Sequence, residues 1–180
     1  LATDGARLRV CQAASGRASV RGMRAAGADD GWVFVLVVGA GLIAWSMFLD
    51  AWLDSERRIA TWWVRSARGL GAWAGPVSFV RSTVLLALYS AAAWLGDLLA
   101  GRLGDPLWAL VVSGPAMLAY APVVLAMTPF DVVNVQMWRS QLSAVGAEPR
   151  EQRAIAWWAG VPALAGFMAI MFTLVSVFVD

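Results

Sequence analysis

The sequence predicts an all-α integral membrane protein, a helical bundle with four predicted transmembrane helices. Hydrophobic residues make up 60% of the 180 residues, charged residues only 14%, and there are 11 Trp. A hydrocarbon core about 30 Å thick needs roughly 20 consecutive apolar residues for each helical crossing. Four runs are long and apolar enough for this, at residues 32–49, 77–99, 106–130 and 155–179.

The first 30 residues differ in composition from the rest of the chain. They contain five arginines among Ala, Gly and Ser, namely Arg7, Arg9, Arg17, Arg21 and Arg24. This pattern is typical of an organellar transit peptide, and a solvated basic arm is the alternative. We therefore expect residues 1–30 to form a basic arm or transit-like segment and residues 31–180 to form the transmembrane domain.

The residue types present exclude several kinds of chemistry. All 14 basic residues are Arg, His is absent, and Cys11 is the single cysteine. Catalysis by an imidazole base or a lysine Schiff base is therefore excluded, as is a histidine or multi-cysteine metal site. No phosphate-binding loop or nucleophile elbow is present. We expect no enzyme, no catalytic residue, no metal and no cofactor, and the net charge of +2 gives no reason to expect nucleic acid.

Arginines predict which connections share one side of the membrane. They concentrate in the loops 50–81 and 131–153, at Arg57, Arg58, Arg65, Arg68, Arg81, Arg139, Arg150 and Arg153. By the positive-inside tendency both loops face the cytoplasm, or the matrix or stroma of an organelle. Three acidic residues, Asp50, Asp54 and Glu56, lie close to Arg57 and Arg58, which predicts a solvated ion-pair cluster rather than a metal site.

The chain also contains a loose internal repeat. Each half has a long apolar helix, an Asp at its end, an arginine-bearing loop, a Trp-x-Gly and a second apolar helix. One register pairs Asp50 with Asp131, 81 positions apart. Another pairs the segments 56–63 and 151–158, 95 positions apart, so the register stays open.

The segment 123–133, VVLAMTPFDVV, carries a resemblance to a known family. With Pro129 and Asp131 it resembles the end of an odd-numbered helix of the mitochondrial carrier family, which reads Pro-x-Asp/Glu-x-x-Lys/Arg-x-Lys/Arg-x-Gln. The resemblance implies solute transport by six helices in three repeats. It also implies a gate of salt bridges between the motif acid and the base three residues later.

The sequence departs from that motif at its basic positions. Asn134 stands where the first base belongs, Gln136 where the second belongs, and Leu53 is the corresponding residue of the first half. A carrier-type ionic gate cannot form from these residues, and four helices fall short of six. A simpler interpretation of residues 129–131 is that Pro and Asp end a helix at the membrane surface.

Three functions follow as hypotheses. The first is a non-catalytic accessory or structural subunit of a large inner-membrane complex, in a mitochondrial respiratory setting, in contact with membrane lipids and other membrane subunits. Small residues that favour helix contacts support it, at Gly39, Gly41, Gly114, Gly160 and Gly166. The alternative is a carrier-type solute transporter with Arg81 and Asp131 facing a central path. The third is a permease subunit whose ATPase partner docks on residues 141–153.

Overall fold

The computed structural model describes residues 31–104 and 107–178, and this part of the chain is 91% helical without a strand. The basic arm predicted for residues 1–30 lies outside the described residues. A 3-10 turn at Gly71–Trp73 precedes the third of six helices. The helices are α1 (Gly31–Leu53), α2 (Ser55–Ala67), α3 (Ala74–Leu103), α4 (Leu107–Met127), α5 (Val132–Ala144) and α6 (Pro149–Phe178).

Four of these helices, α1, α3, α4 and α6, are long and apolar enough to cross a membrane. They correspond to the four predicted apolar runs, and the prediction of an all-α membrane bundle is confirmed. The third run ends earlier than predicted, at Met127 rather than at residue 130. Pro129 explains the difference, because a proline disfavours helical geometry in the residue before it. Thr128 closes the last turn by donating its hydroxyl to the Val124 carbonyl at 2.6 Å.

The two arginine-bearing segments, which were expected to be loops, each contain a helix. Helix α2 buries Ala60, Trp63, Val64 and Ala67, which follow the i, i+3, i+4, i+7 spacing of one helix face. Helix α5 buries Trp138 and Leu142 in the same way. Both helices therefore lie with one apolar face against the bundle, while Arg57 and Arg58 of α2 are exposed.

The order and lengths of the helices repeat. Helices α1, α2 and α3 have 23, 13 and 30 residues, and helices α4, α5 and α6 have 21, 13 and 30. This order favours the register of 81 positions, because the register of 95 would align the short helix α2 with the long helix α6. Each half crosses the membrane twice, so α2 and α5 lie on the same side.

Small residues bring α3, α4 and α6 close together. A Cβ atom added at Gly96 of α3 would lie 2.9 Å from the Ala109 carbonyl oxygen of α4, and one at Gly75 would lie 2.5 Å from Trp158 Cδ1 of α6. Ser82 donates its hydroxyl to the Ala159 carbonyl at 3.0 Å. Close backbone approach and hydrogen bonds of this kind are the principal attractions between helices in lipid.

Helix α1 is attached to the bundle more sparsely. Val35 and Leu42 are the two hydrophobic side chains of α1 that are buried. Pro122 has no amide hydrogen, so the Leu118 carbonyl of α4 lacks its usual helical donor. Trp45 of α1 donates its indole N–H to that carbonyl at 3.2 Å. A proline in α4 thus creates the acceptor that holds α1.

Candidate functional site

Asp131 begins helix α5. Its backbone is extended, with φ −151° and ψ 179°. Its carboxylate accepts a hydrogen bond from the backbone N–H of Asn134 at 2.6 Å. This is the usual geometry of an N-cap, which satisfies an amide that has no partner within the helix. Pro129 lies in the link between α4 and α5. The cap accounts for an aspartate at this position without a basic partner.

Asp50 has the same role in the first half, although it acts from the preceding helix. Its carboxylate accepts from the Glu56 amide at 2.9 Å. Asp54 occupies the N-cap position of α2, but it has a left-handed backbone with φ 49° and makes no side-chain cap. Asp50 in the last turn of α1 caps α2 in its place. The shared role of Asp50 and Asp131 again favours the register of 81 positions.

A cavity of about 630 Å³ lies beside these caps, between α1, α2, α4 and α5. Its polar lining consists of Ser46, Asp50, Ser55, Glu56, Asn134 and Gln141. The Gln141 amide donates to a Glu56 carboxylate oxygen at 3.4 Å and joins α2 to α5. The Asn134 side-chain oxygen is buried and has no partner among the described residues. The cavity therefore presents hydrogen-bond acceptors close to the membrane surface.

Burial raises the pKa of Glu56 above its ordinary value of 4.5, the nearby Asp50 carboxylate raises it further, and the Gln141 hydrogen bond opposes both. The predicted ion pairs with Arg57 and Arg58 do not form among the described residues, because Asp50 and Glu56 are engaged by a backbone amide and an amide side chain instead. In the part of the chain that the structure describes, no group of three or more His, Cys, Asp or Glu could hold a metal ion.

The two residues of the predicted transport path make separate local contacts. Arg81 of α3 is partly buried, and its guanidinium carbon lies 5.3 Å from the centre of the Trp62 ring. This is a cation–π contact between α3 and α2. Asp131 is exposed and caps α5, and Gln136 is exposed on α5. The cavity is lined instead by Glu56 and Gln141, which the sequence analysis did not single out as a pair.

The glycines predicted as helix-contact surfaces fall into two groups. A Cβ atom at Gly160 would lie 3.3 Å from the Met127 carbonyl oxygen, and one at Gly166 would lie 2.9 Å from Tyr120 Cε1, so both are packed within the chain. Gly39, Gly41 and Gly114 face open space, with no atom within 4 Å of the added Cβ. Of this group Gly41 is exposed and free to contact lipid or another protein, whereas Gly39 lines a cavity between α1, α4 and α6 and Gly114 is partly buried.

Comparison of the chain with protein-family models, with curated proteins and with solved structures finds no match of any of the three kinds. The resemblance of residues 123–133 to the mitochondrial carrier family therefore stays a prediction.

Proposed function

We propose that this chain is a non-catalytic accessory subunit of a larger inner-membrane complex, and that helix α1 is its main contact with neighbouring membrane subunits. The transit-like composition of residues 1–30 and the carrier-like helix end favour a mitochondrial setting, and a respiratory complex is the assembly we propose. The observation that supports this proposal most strongly is the unfilled small-residue surface of α1.

That surface differs from the glycine contacts elsewhere in the bundle. Gly75, Gly96, Gly160 and Gly166 each press against a side chain or carbonyl of another segment, whereas the space around Gly41 is empty. Ala44 is exposed close to Gly41 on the same helix. A small-residue surface permits another helix to approach closely, which is the main source of association where lipid gives no hydrophobic drive.

Aromatic side chains extend the same helix toward the membrane surface. The rings of Trp45 and Phe48 lie 6.0 Å apart, those of Phe48 and Trp52 lie 5.5 Å apart, and Trp52 is 72% exposed. Large aromatic side chains are enriched at protein interfaces and at the membrane–water boundary. A partner that packs on Gly41 would meet this aromatic row one to three turns further along α1.

The direct experiment is to solubilise the native membrane in mild detergent and to find this chain by native gel and mass spectrometry. We expect it to migrate within an assembly much larger than its own 19.2 kDa plus detergent. A chain that migrates only as a small free species would contradict the proposal.

A substitution on the exposed face of α1 can test the partner contact without unfolding the chain. Gly41→Leu should leave the isolated chain folded in detergent but remove it from the large assembly, because the added side chain blocks close helix approach. Val84→Leu is a matched control, since Val84 is exposed on α3 and is already large. Equal comigration of both variants with the assembly would argue against α1 as the contact.

The cavity favours a second candidate, a solute transporter. Its volume of about 630 Å³ and its Asp50 and Glu56 lining suit a small cation. For this candidate, Glu56→Gln should abolish uptake of labelled small cations into liposomes that contain the purified chain. Glu148→Gln, which makes the same charge change at an exposed position, should leave uptake intact. Absence of uptake by the unmodified chain would exclude this candidate for the cations tested.

A further inference from the structure

Two neighbouring cavities lie on the side of α4 away from α1 and share two lining residues. The first has a volume of about 330 Å³ and lies against Arg58, Ile59, Trp62 and Trp63 of α2. The second has a volume of about 230 Å³ and lies between α3 and α4, lined by Leu88, Tyr89, Ala116, Ala119 and Tyr120 among others. Leu85 and Val123 line both cavities. We call the combined feature the α3–α4 groove.

The groove ends at about the depth of one leaflet of a bilayer. Along α4 it reaches from Val123, close to the end of the helix at Met127, back to Ala116. At 1.5 Å per residue, Ala116 lies about 16 Å from that end, which is roughly half of a 30 Å hydrocarbon core. Apart from the rings of Tyr89 and Tyr120, the deeper part is aliphatic. This shape and polarity suit an acyl chain.

The mouth of the groove carries positive charge. Arg58 is an exposed residue that borders the first cavity, and Arg81 lies over the Trp62 ring that forms part of the same wall. Neither arginine is paired with a carboxylate among the described residues. Guanidinium groups recognise phosphate oxygens.

We propose that the α3–α4 groove binds one anionic phospholipid of the leaflet that faces α2, with its phosphate at Arg58 and Arg81 and one acyl chain along Leu85, Ala119 and Val123. The opposite side of α4 lacks this chemistry, because the cavity beside Asp50 and Glu56 would repel a phosphate. The proposal does not depend on whether the chain is a subunit or a transporter.

Native mass spectrometry of the purified chain, released from nanodiscs that contain equal amounts of phosphatidylglycerol and phosphatidylcholine with identical acyl chains, tests the headgroup. We expect one retained phosphatidylglycerol. Arg58→Gln with Arg81→Gln should lower its retention by about 10-fold or more, since both guanidinium groups that attract the phosphate are removed. Arg57→Gln with Arg65→Gln removes the same charge from exposed positions of α2 and should change little.

Filling the groove tests where the acyl chain lies. Ala119→Phe should reduce phosphatidylglycerol retention, whereas Ala40→Phe, which fills the separate cavity of about 320 Å³ between α1, α4 and α6, should not. Each variant is first checked for a monodisperse, helical species. Three results would each overturn the proposal. They are equal retention of phosphatidylglycerol and phosphatidylcholine, an equal loss of phosphatidylglycerol in both double-arginine variants, and full retention of phosphatidylglycerol by Ala119→Phe.

Discussion

Helices α1 and α4 begin the two halves of the chain, yet they are used differently. Helix α4 contributes a row of buried side chains to the bundle, including Met117, Tyr120, Ala121 and Val124, and it contacts α3 and α6 along its length. Helix α1 buries the hydrophobic side chains of Val35 and Leu42 and leaves Gly41, Ala44 and its aromatic side chains exposed. The same repeat unit therefore supplies a central helix in one half and a peripheral helix in the other.

The short helices show the opposite behaviour, because they are equivalent in both halves. Helices α2 and α5 have the same length, each is capped by an aspartate, and each places one buried tryptophan in the same hydrophobic cluster. The two halves are therefore alike in their short helices at the membrane surface, and they differ in how their first helices pack within the bilayer. Substitutions that compare matched residues can test each part of that statement.

The largest expected effect concerns the two buried tryptophans. Trp63→Ala and Trp138→Ala should each destabilise the protein by about 3–5 kcal/mol, the usual cost of removing a buried large aromatic side chain. Trp52→Ala, at a 72% exposed position of α1, should cost far less. Thermal unfolding in detergent measures all three variants. A large loss for one buried tryptophan but not for the other would break the equivalence of the short helices.

The second largest loss of stability is expected at the two aspartates that cap α2 and α5. Asp50→Ala and Asp131→Ala should each destabilise the fold by about 1 kcal/mol, because each leaves an amide at the start of a short helix without its acceptor. Asp131→Asn should retain most of the stability, since Asn is an equally good cap. An Asp131→Asn variant as unstable as Asp131→Ala would mean that the negative charge, rather than the cap, matters at this position.

A smaller effect is expected where α1 meets α4. Trp45→Phe removes the donor to the Leu118 carbonyl, and hydrogen bonds between membrane helices contribute about 0.6 kcal/mol on average. Pro122→Ala restores an amide that can bond this carbonyl within α4. Trp45→Phe should therefore cost less in the Pro122→Ala background than alone. Equal costs in both backgrounds would show that the indole does not depend on the proline-freed carbonyl.

The smallest and most conditional effect is the pH dependence due to Glu56. Its pKa is raised in the folded protein, so the folded state favours the protonated carboxyl. The associated stability is fully present below pH 4.5 and is lost as the pH rises through the raised pKa. Glu56→Gln should flatten this part of the stability profile, whereas Glu148→Gln should preserve it. A Glu56→Gln profile parallel to that of the unmodified protein would contradict the assignment.

The sequence predicted the four spanning helices because length and apolarity alone define them. It did not predict α2 and α5, because their arginines interrupt the apolar runs and leave only a short apolar face on each helix. The spacing of Ala60, Trp63, Val64 and Ala67 is nevertheless that of one helix face and could have predicted α2. The polar cavity could not be predicted, since Glu56 and Gln141 are 85 positions apart and meet only after α2 and α5 have packed. Asp131 was predicted to end the third apolar helix, but α4 ends at Met127 and Asp131 begins α5, where its partner is the Asn134 backbone amide.

The partner role of α1 is the central claim, and photo-crosslinking in the native membrane tests it most directly. In a Cys11→Ser background, Gly41→Cys and Val84→Cys variants would each be labelled with a benzophenone maleimide and illuminated. We predict that the label at position 41 joins this chain to another membrane protein, whereas position 84, which is exposed on α3 and can be labelled equally well, gives no such product. Products that contain only lipid at position 41 would contradict the account and leave α1 as a lipid-facing helix.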